Sequence, residues 1–122
     1  MLVALVLGAG LTFSLVATGG ASKEQARVSA ASGAYSAFEA RLKAGSGTPE
    51  SVYVWSVRWH DSEKKNRTAL LAAQSHLARM RSLQTTVKAS VAAGTLSSAD
   101  EKGAAYYVAE AEVWVTDAGG VP

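Results

Sequence analysis

With 122 residues, and 12 Lys and Arg against 10 Asp and Glu for a net charge of +2, the chain has room for one modest core and excludes a two-domain enzyme. So small an excess of positive charge, evenly interspersed, argues against a nucleic-acid-binding surface. The absence of cysteine also excludes disulfide frameworks and thiolate metal sites.

The first 22 residues carry no charge, and the run Leu2-Val3-Ala4-Leu5-Val6-Leu7, followed by Leu11, Phe13, Leu15 and Val16, is apolar enough to enter a bilayer. Small residues at Ala17, Gly19, Gly20 and Ala21 supply a pattern that signal peptidase reads, with cleavage expected after Gly19 or Ala21. No Lys or Arg precedes the apolar run, as a signal peptide's basic start requires, so a retained anchor flanked by Lys23 and Arg27 stands as the alternative. Residues 1–21 therefore read as a signal peptide or membrane anchor. The chain is expected to be exported, either to the periplasm and cell envelope or held at a membrane.

Residues 22–115 read as one helical domain. Val28, Ala31, Tyr35, Phe38 and Leu42 alternate three and four apart, which is a heptad seam. Val52, Trp55 and Trp59 keep that spacing, as do Leu70, Ala73, Leu77, Met80, Val87 and Val91, and later Ala104, Tyr107, Ala111 and Trp114. Each stripe is narrow and needs a partner. Gly45-Ser46-Gly47-Thr48-Pro49 closes one helix with glycine and opens the next with Thr48 as N-cap and Pro49 at the first helical position. Gly94-Thr95-Leu96-Ser97 repeats this, with Ser97 as N-cap and Asp100 in a capping-box position. Between Pro49 and Ala93 there is neither Gly nor Pro, so the pattern predicts one long central helix of about 45 residues, roughly 65 Å in length. The polar run from Asp61 to Thr68 is its easiest breaking point. The expected fold is all-α: a coiled-coil-like antiparallel hairpin or three-helix bundle around that helix, with residues 116–122 as a flexible tail.

The punctuation is itself repeated. Ala44-Gly45-x-x-Thr48-x-x-Ser51 and Ala93-Gly94-x-x-Ser97-x-x-Asp100 lie 49 residues apart, each between helical heptads. In this the chain resembles the helical region of the TolC-type outer-membrane efflux family, whose helices are punctuated by an A-G-x-x-[ST]-x-x-[DE] turn and include an Ala/Glu-rich segment like Ala109-Glu110-Ala111-Glu112. The resemblance covers residues 23 to 115 and implies a helical unit of that kind. Members of the family are several times longer and carry barrel strands; this chain has no alternating pattern of barrel length, and Ser51 stands where the acidic residue is expected. A channel is therefore not implied.

The densest group of chemistry-bearing side chains is Trp55, Arg58 and Trp59, joined by Tyr107 and Trp114 as candidate interaction residues. Two indoles four residues apart share a helix face and would form a binding platform beside an anion-gripping arginine. The competing reading makes them the large residues of the bundle core. His60 with Glu63, and His76 if the fold brings it round, is too sparse a set for a metal. Ser56, His60 and Asp61 lack an oxyanion loop, and adjacent His and Asp are expected on different sides of a helix. No catalytic, cofactor-binding or metal residue is expected. The expected role is a non-enzymatic envelope protein that self-associates or docks on a helical envelope partner, or alternatively a single-span accessory subunit of a membrane complex.

Overall fold

The computed structural model describes residues 19–65 and 67–122. The expected leader lies outside these residues except for Gly19 to Ala21, which form the start of the first helix. Four helices follow in order: α1 (Gly19–Lys43), α2 (Pro49–Glu63), α3 (Ala69–Ala92) and α4 (Ser98–Asp117). There is no strand among the described residues, so the all-α expectation holds. None of the described helices is long and apolar enough to cross a membrane.

The single long central helix is not what forms. The chain breaks at residues 64–68, inside the polar run, and the two halves fold back on each other as α2 and α3. Thr68 caps the new helix, its Oγ1 accepting from the Leu71 N–H at 3.2 Å. Arg67 spans the break, with its backbone N–H donating to the Glu63 carbonyl at 2.8 Å and its guanidinium to the Glu63 carboxylate at 2.7 Å. Orphan groups at both helix ends thus find local partners among the described residues. The reversal brings Val52 and Ser56 of α2 into a common interior with Leu77, Met80 and Leu83 of α3, all 4% exposed or less. A straight helix would leave those faces in water.

The result is two antiparallel hairpins, α1–α2 and α3–α4, one for each copy of the 49-residue repeat. Both close by the same device. Ser46 N–H bonds the Arg41 carbonyl at 2.9 Å and Gly45 N–H the Leu42 carbonyl at 3.0 Å, with Gly45 at φ +88°. Thr95 with Ser90, and Gly94 with Val91, repeat those bonds at Gly94, φ +80°. This is a helix C-cap that only glycine adopts without strain. A third copy follows α4, where Gly119 sits at φ +93° and Gly120 N–H bonds the Val115 carbonyl at 2.9 Å. The helix thus runs two residues beyond the expected boundary at 115, and the next residues turn back against it: a Cβ at Gly120 would collide with the Leu70 side chain.

Along the first hairpin Tyr35 meets Trp59 and Phe38 meets Trp55, with ring centroids 5.6 and 6.3 Å apart. Along the second, His76 stacks on Trp114 at 4.8 Å and Arg81 approaches Glu112 at 3.5 Å. The hairpins join mainly through α2 and α3. Tyr53 of α2 also stacks on Tyr107 of α4 at 4.0 Å and donates its hydroxyl proton to Glu110 at 2.6 Å. The core runs through Val52, Leu77, Met80, Leu83, Val87, Ala104, Ala111 and Val115. No comparable packing joins α1 to α4. These are the two outer edges of an open stack, rather than neighbours in a closed bundle.

Candidate functional site

At the centre of the α2–α3 junction lies a polar cluster. Ser56, completely buried, makes three hydrogen bonds with two side chains. Arg79 Nε donates to its Oγ at 2.7 Å, and the same guanidinium donates to the Ser56 carbonyl at 3.1 Å. The serine hydroxyl also bonds His76 Nδ1, 2.8 Å away, and its one proton and two lone pairs serve both neighbours. The far ring nitrogen, His76 Nε2, is buried with no partner among the described residues. Burial first, then the Arg79 charge and then His60, push His76 down to about 3 from its ordinary 6.5, so the ring is neutral. Burial also lowers Arg79 to about 10, which leaves it cationic at neutral pH. Its guanidinium lies 4.1 Å over the Trp59 ring and 5.7 Å over Tyr35. Burial, and then Glu39, raise the Tyr35 phenol.

Chemically this cluster has little freedom. The serine oxygen is committed to both partners and sealed from solvent, so no substrate carbonyl reaches it. His60 Nδ1 does contact Asp61 Oδ1, at 3.0 Å. This corrects the expectation that adjacent His and Asp point apart. Yet Ser56 bonds the other histidine, and the two rings are 5.8 Å apart, so no relay links the three residues. Glu63 is tied to Arg67 at 2.7 Å. Among the described residues no three His, Asp or Glu side chains converge as a metal site requires.

The candidate interaction residues separate. Trp55 and Trp59 are half-buried in the α1–α2 seam against Phe38 and Tyr35, and Arg58 lies 4.5 Å over Trp55 on the exposed side. Tyr107 stacks inside on Tyr53, and burial, then Glu50, raises its phenol. Trp114 packs on both histidines. The two indoles are thus not presented together on one open platform. A groove of about 390 Å³ does bring Trp55 and Arg58 together with Arg27, Ala30 and Ala31 of α1 and Asp61. Neither Arg27 nor Arg58 pairs with a carboxylate among the described residues. The capping residues stand as expected: Thr48 accepts from Ser51 N–H at 3.3 Å ahead of Pro49, and Ser97 and Asp100 form a reciprocal capping box.

The cluster of Ser56, His76 and Arg79 was not legible as a unit. Its signals are the polar Ser56 on the buried side of α2 and the i, i+3 pair His76 and Arg79 within an otherwise apolar stripe. The outer helices leave faces uncovered. On α4 Ala105, Tyr106, Ala109 and Val113 are exposed, Tyr106 at 60% and Val113 at 55%; on α1 so are Ala26, Arg27, Ala30 and Ala37. Comparison with family models, curated proteins and solved structures found no match for the chain in any of the three.

Proposed function

We propose that the chain is a non-enzymatic helical interaction protein of the cell envelope, exported or tethered through its uncharged N-terminal stretch and working through the outer faces of its helices. The observation that carries this reading is the open stack: among the described residues α1 and α4 do not pack on each other to any comparable extent, and each keeps an exposed face. The residues exposed on these two helices, among those described, offer surface to another helix. The repeated hairpin with its A-G-x-x-[ST] turn is the feature in keeping with an efflux-like helical unit, and the sealed Ser56 favours a structural over a catalytic use of the polar core. Fractionation of the native source, with intact-mass measurement of the chain, tests the reading. Recovery in the envelope or exported fraction, either full length or beginning near Gly20 or Ser22, is expected. A full-length chain confined to the cytosolic extract overturns it.

A further inference from the structure

The four helices alternate in charge. α1 carries +2 from Lys23, Arg27, Arg41 and Lys43 against Glu24 and Glu39; α2 carries −2 from Glu50, Asp61 and Glu63 against Arg58. α3 carries +3 from Arg79, Arg81 and Lys88 with no acid, and α4 carries −4 from Asp100, Glu101, Glu110, Glu112 and Asp117 against Lys102. Every helix that packs on its successor is met by opposite charge, and the two unpaired edges, α1 and α4, are also opposite.

We propose that α4 of one copy packs on α1 of a second copy, in the way that α2 packs on α3 within the chain. This rests on the reading of the chain as an interaction protein and names its partner. The 49-residue repeat makes the second hairpin a counterpart of the first, so an α4 facing another copy's α1 extends the arrangement already present between hairpins. The repeat also fixes the register. Ser56 on α2 corresponds to Ala105 on α4, and Arg79 on α3 to Ala30 on α1, and these are the positions that hydrogen-bond inside the chain. His60 and His76, whose rings also meet, correspond to Ala109 and Arg27. All four counterparts are exposed. Three of the four, Ala105, Ala30 and Ala109, are smaller than the polar side chains they match, which lets two helix backbones approach closely, and the fourth is Arg27. Arg27 and Ala30 border the groove beside Arg58, where two guanidiniums face one carboxylate, Asp61, that neither of them pairs with among the described residues, so the groove has room for further acidic side chains. The contact is heterologous, using different surfaces of the two copies, so it builds a ring or an open row according to the rotation per step.

The test is the mass in solution of the full chain in mild detergent, over a range of concentration, for the wild type and two variants checked for helicity by circular dichroism. Ala30→Glu sets an acid on α1 against acidic α4; Ala105→Arg sets a cation on α4 against basic α1. Both sites are exposed, so each variant keeps its fold. The wild type is expected to associate, each variant alone to be monomeric, and an equimolar mixture to associate again, because one intact α4 then meets one intact α1. A monomeric wild type overturns the proposal while leaving the envelope reading to stand or fall by fractionation. Association lost in one variant but kept in the other means a like-with-like contact, and a mixture that stays monomeric removes the heterologous contact; either result also overturns it.

Discussion

Ser56, His76 and Arg79 illustrate how a polar group is tolerated at a helix junction: each hydrogen bond inside the low-dielectric interior is strong because its loss leaves a neighbour stranded. Ser56→Ala removes one oxygen and orphans both Arg79 Nε and His76 Nδ1, so a loss of about 1–3 kcal/mol is expected by chemical denaturation. His76 links the cluster to pH. Its pKa in the folded chain is about 3 against an ordinary 6.5, so between those values the unfolded chain binds a proton that the folded chain does not. Stability is therefore complete above about pH 6.5 and falls by about 1.4 kcal/mol for each unit of acidification below it. Denaturation at pH 7.0 and 5.0 measures this, and His76→Gln is expected to flatten the difference; equal stability of the wild type at both values contradicts it. None of this was readable before folding, because 20 residues and a chain reversal separate Ser56 from His76.

Among the elements, what was legible is what is local. Gly45, Thr48, Pro49, Gly94, Ser97 and Asp100 end and start helices by bonds that reach at most five residues, so their pattern in the chain is enough to place them. The place of the α2–α3 break was legible in the polar run from Asp61 to Thr68, but that the helix breaks there was not. Its cause is the burial of two distant apolar faces against each other, which overrides the continuous helical pattern. The third glycine cap was hidden by the polar look of Thr116 to Gly120, although the same Ala-Gly pair stands at 118 and 119. Two glycines test this account against each other. Gly94→Ala forces a left-handed φ of +80° on a side chain and is expected to cost about 1–2 kcal/mol. Gly103→Ala, inside α4 with nothing within 4 Å of a new Cβ, is expected to add about 0.5–1 kcal/mol. Thermal melts of the two variants read both signs, and a stabilising Gly94→Ala contradicts the cap.

At the scale of the whole molecule, narrow apolar stripes on every segment foretold a packed helical array, but not which stripes pair. Tyr107 and Trp114 turn inward to the hairpin junction, Trp55 and Trp59 fill the first hairpin's seam, and the uncovered surface falls on alanine-rich faces that carry no conspicuous motif. Charge, more than apolar area, distinguishes the two edges. In the proposed assembly α1 and α4 do not pair within a chain and meet instead between chains. The chain's lack of cysteine makes this directly measurable with the variant bearing both Ala30→Cys and Ala105→Cys, treated with a short bis-maleimide and resolved by denaturing electrophoresis and intact mass. Covalent dimers and higher multiples that vanish on dilution are predicted. A bridge formed within one chain, independent of concentration, would place α1 beside α4 in a closed bundle and contradict the account.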